Sequence, residues 1–322
     1  MNFDKSKLTS IKGDASFRRF YRRKLNKKNS IIVYSKVDKN KNLLIYDAVN
    51  KILYKNKIYA PQLISENYKK NFIEIEDLGK QTVFNILKKK NNKLKIYRKI
   101  LLILLGLQNI KIKKIRNFKN KIYKIPYYSK KILFNEVSLF LNWYIPQHIS
   151  KKKITFVKKE LKKSILNLIK KIQLPNKTFV HRDFHVSNLM MKNNKVAIID
   201  SQDAVYGNIA YDLASLIDDV RLKSSKNHKE SIYQNYLKLN KKKINKIKFK
   251  NDFEILSVLR NLKIIGIFTR LAKRDKKKKY LKLIPYAWKL IEDRIDNNKV
   301  FLELKKKLEN NFIIKIKKKN DS

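Results

Sequence analysis

Short β-branched runs separated by polar turns mark the first quarter of the chain, and helical spacing of apolar residues dominates the rest. Ser30 to Ser35 (SIIVYS) and Asn71 to Glu76 (NFIEIE) read as strands, and residues 42–54 between them carry apolar positions at helical spacing. Glu76-Asp77-Leu78-Gly79 breaks the pattern. Beyond it, residues 93–110, 133–149, 154–172, 211–222, 230–248, 252–273 and 281–307 read as amphipathic helices. One β island interrupts them. Thr178 to Val180 leads into a polar loop, Asn188 to Met191 and Lys195 to Ile199 flank a Lys-Asn-Asn turn, and Asp200 ends the second strand. The pattern predicts an α+β, two-lobed chain: a small mixed α/β lobe at 1–76, a hinge at 77–80, and a larger helical lobe at 81–322 with an embedded β-hairpin.

Composition narrows the class. At 322 residues with 43% hydrophobic content the chain can bury a sizeable core, and global disorder is excluded. With no cysteine there is neither a disulfide framework nor a thiol nucleophile. The longest apolar run, Ile100 to Leu107, is far shorter than the roughly 18 residues of a membrane span. No apolar stretch follows the N-terminal charges, so a cytoplasmic address is expected.

The formal charge is +53, from 79 Lys and Arg against 26 Asp and Glu. The excess is mostly Lys, interleaved with Ile and Asn from end to end rather than gathered in a detached tail. Solvated Lys-rich faces are the favoured reading, with a surface for RNA or anionic lipid as the alternative. In either case the field attracts anionic ligands and repels cationic ones.

Candidate chemistry gathers in the island. It reads His181-Arg182-Asp183-Phe184-His185-Val186-Ser187-Asn188, with Asp200 closing the hairpin. Phosphoryl transfer needs a carboxylate to take the proton of an acceptor hydroxyl, and hard oxygen ligands for the divalent metal on the nucleotide phosphates. An Asp followed five positions later by Asn, with a second Asp ending the adjoining strand, supplies both, as in kinase catalytic loops. Asp183 is then the base, and Asn188 and Asp200 are the metal ligands. Turn-capping roles are the bland alternative. A two-His metal site at His181 and His185 is disfavoured, because the pair sits in a loop rather than on a helix face.

These residues resemble the aminoglycoside phosphotransferase superfamily, and within it the bacterial anomeric N-acetylmuramate/N-acetylglucosamine kinases. The likeness extends to GDASFRRFY (13–21), EDLG (76–79), FLNWY (140–144), IDSQDAVYGNIAYD (199–212) and RNLKIIGIFTRLA (260–272). It implies a protein-kinase-like fold with ATP and Mg2+. Gly13, Asp14, Ala15 and Ser16 would form the phosphate loop, with Ser16, Arg18 and Arg19 as further donors, and Glu76 to Leu78 would present backbone groups to adenine. Asp212, at a helix start, reads as structural support, bracing the catalytic loop, and His181 is assigned the same supporting role. Trp143, Tyr144, His185 and Asp203 are expected on the acceptor side, together with His148. Plain core packing is an equal alternative for the aromatics.

Three departures stand out. No V-A-I-K lysine is present; Lys36, after the first strand, is the positional candidate, with Asp47 as its acidic partner. Position 201 is Ser where the subgroup has Phe, and position 142 is Asn where it has an acid.

The resemblance implies an ATP-dependent sugar kinase acting on an anomeric hydroxyl in peptidoglycan recycling. Charge agrees: polycationic aminoglycosides call for acidic pockets and choline for an aromatic or acidic cage, whereas the muramate carboxylate suits basic surroundings. A kinase-fold protein that binds RNA or an anionic surface with little turnover is the alternative of a different class, and other kinases of the superfamily are a third. A nucleic-acid partner is thus possible but not favoured, and a small sugar is the expected substrate.

Overall fold

In a computed structural model, which describes residues 8–11, 18–24, 29–36, 42–89, 93–241, 244–296 and 298–313, the two β-branched runs become neighbouring strands. β1 (Leu8–Ile11), β2 (Arg19–Arg23), β3 (Ser30–Tyr34), β4 (Leu63–Asn67) and β5 (Phe72–Glu76) form one antiparallel sheet in the order β1-β2-β3-β5-β4. Register places Ile31 opposite Ile75 and Val33 opposite Ile73. With a side-chain period of two, these four share a face, and that face packs on Leu43 and Tyr46 of helix α1 (Asn42–Lys55).

Helices α2 (Val83–Lys89) and α3 (Leu94–Gln108) follow the sheet. Then come the small hairpin β6 (Lys114–Arg116) and β7 (Ile122–Lys124), the strand β8 (Thr178–Val180), the hairpin β9 (Leu189–Lys192) and β10 (Lys195–Ile198), and β11 (Val205–Gly207), which pairs with β8.

The chain divides into two units, Met1–Pro126 with Thr178–Tyr206, and Tyr127–Lys177 with Gly207–Ser322. This differs from a boundary at 77–80, and the hairpin explains why. Met191 N–H donates to the Gln81 carbonyl at 2.9 Å and Ile198 N–H to that of Tyr59 at 2.8 Å. Leu78, Met190 and Ala197 bury one another, with Tyr59 and Ile199 against them. The island is therefore anchored to the residues around the sheet.

The second unit is helical: α4 (Lys130–Leu139), α5 (Ile145–His148), α6 (Lys151–Lys170), α7 (Tyr211–Ile217), α8 (Lys226–Leu239), α9 (Lys246–Lys273), α10 (Ile284–Ile295) and α11 (Leu302–Leu308). Ser129 caps α4, its hydroxyl accepting from Ile132 N–H at 3.2 Å, and a π-helical turn at Phe140–Tyr144 joins α4 to α5. The 28-residue α9 is buried along most of its length and packs against α4, α7 and α10. Gly266 makes the first of these contacts possible: a Cβ there would lie 2.3 Å from the Leu139 carbonyl carbon. Among the described residues no helix is long and apolar enough to cross a membrane.

Candidate active site

The loop between β8 and β9 is fixed by its own backbone. His185 N–H donates to the Asp183 carbonyl at 3.0 Å and Asn188 N–H to that of His185 at 2.9 Å. Asn188 Nδ2 reaches the Asp183 carbonyl at 3.1 Å, which explains why the amide must lie five residues after the acid. The hairpin closes the arrangement, with Ile199 N–H on the Asn188 carbonyl at 3.0 Å and His181 Nε2 3.1 Å from the Ile199 carbonyl oxygen. Arg182 and Asp200 both hold left-handed backbone, with φ of 73° and 64°, a conformation that costs non-glycine residues energy and is retained where the surroundings dictate it.

His181 is fully buried, and burial pushes its imidazole below the ordinary value although Asp183, Asp200 and Asp203 all pull upward. Three carboxylates thus lie within electrostatic reach of one buried ring. Its Nε2 is engaged with the Ile199 carbonyl oxygen.

Asp183, Asn188 and Asp200 make a hard-oxygen donor set of two carboxylates and an amide. Asn188 commits its nitrogen to the Asp183 carbonyl, and the Asp200 side chain is 39% exposed. Such a set fits a divalent cation that prefers oxygen. Among the described residues no group of three or more His, Cys, Asp or Glu side chains is arranged to hold a metal.

The partner of Asp200 was not foreseen. Arg18 Nη2 donates to Asp200 Oδ1 at 2.6 Å and Nη1 to Gln202 Oε1 at 3.2 Å. Beside them, Ser201 Oγ donates to Asn50 Oδ1 on α1 at 2.5 Å, a buried polar contact. No periodicity announces either contact. The signal available in sequence was the departure at position 201 itself.

At 76–79, Tyr59 Oη and Lys192 Nζ both donate to Glu76 Oε1, at 2.7 and 2.8 Å, and Lys192 also reaches the Asp77 carbonyl at 2.8 Å. Arg22 grips the Asp77 carboxylate through Nε and Nη2, at 2.6 and 3.0 Å. Gly79 has φ 87° and donates its N–H to Asp77 Oδ1 at 2.8 Å, a turn that favours glycine. Leu78 is buried with Met190 and Ala197, so an apolar wall stands beside this strapped segment.

Gly13, Asp14, Ala15 and Ser16 lie outside the described residues. Lys36 is exposed, two residues past the end of β3. The expected pairing of Lys36 with Asp47 gives way to another: Asp47 bonds Lys51 Nζ at 2.9 Å, one helical turn on, and accepts from Phe118 N–H at 2.7 Å. His185 is buried, whereas Asp203 is exposed, its backbone carbonyl accepting from Arg182 Nη1 at 3.1 Å.

In the helical unit Trp143 is half-buried, and Asp212 is buried in the first turn of α7. Tyr144 is buried. It stacks on Phe140, its hydroxyl accepts from Trp288 Nε1 at 3.0 Å, and burial pushes its phenol up to about 12. His148 stacks on Tyr144 from the exposed side, with 4.0 Å between ring centroids.

Residues 7–240 match the family model described as the phosphotransferase enzyme family. The chain belongs to this family. The phosphotransferase is 27% identical over 284 residues to an N-acetylmuramate/N-acetylglucosamine kinase of Neisseria meningitidis serogroup B, covering 86% of this chain and 82% of the relative. It is 25% identical over 306 residues to a protein of the same name from Pseudomonas aeruginosa, covering 93% and 87%. Among solved structures, its fold is similar to that of a choline/ethanolamine kinase family protein from Mesorhizobium loti, with TM-score 0.64, 11% identity and coverage of 92% and 90%. It is also similar to an amicoumacin kinase solved with AMP-PNP and Ca2+, with TM-score 0.63, 11% identity and 90% coverage of both chains. The phosphotransferase therefore has the protein-kinase-like α+β fold that the family resemblance implied.

Proposed function

We propose that this phosphotransferase moves the terminal phosphate of ATP, with Mg2+, to the anomeric hydroxyl of an amino sugar, N-acetylmuramate or N-acetylglucosamine. The observation that carries this reading is the loop from Asp183 to Asn188, locked to the hairpin that ends in Asp200, in a chain whose relatives of similar length bear that kinase name. The lactyl carboxylate of muramate suits a protein of charge +53.

Asp183 accepts the proton of the sugar hydroxyl as its oxygen bonds to the γ-phosphorus and the bond from phosphorus to the bridging oxygen breaks, leaving ADP. Asn188 and Asp200 would hold Mg2+, which would offset charge on the phosphate oxygens. Glu76 to Leu78 offer backbone groups to the adenine, and Leu78, Met190 and Ala197 supply the apolar wall. His181 keeps the loop against Ile199.

Purified protein given MgATP and a panel of amino sugars is expected to form a sugar phosphate, located on the anomeric carbon by phosphorus NMR. Asp183→Asn is expected to lower kcat by about 100-fold or more while MgATP affinity stays within a few-fold of wild type. Failure to phosphorylate any amino sugar, or an Asp183→Asn variant of normal turnover, would overturn the proposal. RNA binding with a steep salt slope and no sugar turnover would favour the binding-protein reading instead.

A further inference from the structure

A cavity of about 310 Å3 opens between α8, α9 and α10, and every residue lining it belongs to the helical unit. Its lining holds four carboxylates and four cations, in a chain with 79 bases to 26 acids. A surface filled with lysine does not by itself produce that balance. The charges fall into two groups. In the first, Asp218 takes Arg294 Nε at 2.9 Å and Lys229 Nζ at 3.3 Å. Two cations on one buried carboxylate leave one positive charge there, and an uncompensated buried charge is costly. The other group has the opposite sign. Lys226 pairs with Asp293 at 3.1 Å, and Glu230 and Glu254 are set against Lys250 alone, which leaves one negative charge.

Arg294 is fixed in orientation but not used up. Asp218 holds its Nε, and its guanidinium carbon lies 4.7 Å from the Phe253 ring centroid. Among the described residues its Nη1 and Nη2 donate to no acceptor. Phe253 also packs on Tyr233, with 5.0 Å between ring centroids. Tyr233 is 8% exposed, and its hydroxyl has no hydrogen-bond partner among the described residues. Burial, then Glu230 and Glu254, push this phenol up to about 12 against the pull of Arg294, so at neutral pH it is a donor. Both carboxylates and the guanidinium are therefore within electrostatic reach of that hydroxyl. Glu230 accepts from Gln234 Nε2 through one oxygen and Glu254 from Asn298 Nδ2 through one, each at 2.6 Å.

A guanidinium fork of fixed plane and a phenol hydroxyl beside it match the two oxygens of a carboxylate. The neighbouring negative group rejects a dianion such as phosphate and suits an ammonium. We propose that the cavity between α8, α9 and α10 binds a small zwitterion of the α-amino acid type. Its carboxylate sits on Arg294 Nη1 and Nη2 and the Tyr233 hydroxyl, and its ammonium on Glu230 and Glu254. No residue of this cavity has a part in the phosphoryl transfer described above, so the site stands or falls independently of that reading.

Calorimetric titration of the full-length protein with each of the common amino acids tests this. Acetate, ethylamine and inorganic phosphate serve as comparison ions, and thermal unfolding is measured for every variant. At least one amino acid is expected to bind with a Kd of about 1 mM or tighter, and the comparison ions about tenfold more weakly or worse. Arg294→Lys keeps the charge beside Asp218 but lacks the fork, and is expected to weaken binding of that amino acid by about tenfold. Tyr233→Phe removes one hydrogen bond, for a loss of about two- to tenfold. Loss in at least one folded variant supports the site, whereas binding unchanged in both places the ligand elsewhere and overturns the proposal. No amino acid bound at about 10 mM overturns it too, marking the charges as a structural network. Phosphate or acetate bound as tightly as the best amino acid also overturns it, in favour of a plain anion site. If Arg294→Lys does not fold, Tyr233→Phe decides alone, and wild-type affinity in that variant refutes the site.

Discussion

Asp218, at the end of α7, is 1% exposed and surrounded by cations: Arg294 Nε at 2.9 Å and Lys229 Nζ at 3.3 Å, with Ser257 Oγ donating at 2.6 Å. Burial alone would push its carboxyl up, but Arg294, Lys229 and the hydrogen bonds from Arg294 and Ser257 outweigh it and hold the group below its ordinary 3.8. A depressed carboxylate contributes stability that is complete above the unfolded value and is lost as pH falls through the folded one. Asp218→Asn leaves two cations without their counter-charge and is expected to cost about 3–5 kcal/mol at neutral pH. Urea unfolding at pH 7 and at acid pH should show the gap between variant and wild type narrowing below 3.8. A gap that is constant with pH would refute the charge account. Sequence marks a residue like Asp218 poorly, because Leu-Ile-Asp-Asp reads as the polar edge of a helix, while its partners come from residues 229 and 294. The contact between Asn188 and Asp183 was legible because it is local: five residues of loop carry the amide to the Asp183 carbonyl, and Ile199 N–H ties the hairpin to Asn188. Arg18 met Asp200 across 182 positions, and in a chain with 79 Lys and Arg no single cation stands out.

Among the elements, periodicity located the helices but not their ends. The stretch 230–248 reads as continuous, yet α8 stops at Leu239 and Asn245 starts α9 by accepting from Lys248 N–H at 3.0 Å. The segment 281–307 breaks into α10 and α11, with Pro285 in the first turn of α10 and Asn298 accepting from Val300 N–H before α11. β1, β2 and the β6–β7 hairpin escaped notice because Leu-Thr-Ser-Ile, Arg-Phe-Tyr-Arg-Arg and the Lys-rich hairpin lack a continuous apolar face. Gly266 is the element-scale feature with the plainest consequence. A methyl group there would stand 2.3 Å from the Leu139 carbonyl carbon and 2.4 Å from the Phe140 nitrogen, backbone atoms that cannot swing aside. Gly266→Ala must push α9 off the junction of α4 and the π-helical turn. The expected cost is about 1–3 kcal/mol or more, seen as a lower unfolding midpoint. A midpoint equal to that of wild type would mean the two helices part without loss.

The whole molecule carries a charge imbalance that its ion pairs cannot absorb. Even if all 26 acids were paired one to one, 53 of the 79 basic side chains would face no carboxylate, and those cations repel one another in the compact state more than in the extended one. The magnitude was legible from composition, whereas its energetic sign follows from folding, which draws the lysines together. Raising ionic strength from 0.01 M to 0.15 M shortens the screening length from about 30 Å to about 8 Å, within the spacing of charges on a folded surface. The unfolding temperature is therefore expected to rise over that interval in sodium chloride, by the same amount at equal ionic strength in sodium acetate. A flat or falling curve would mean that the lysines are spaced widely enough for repulsion not to matter. A rise confined to phosphate or sulfate would instead mark a discrete anion site.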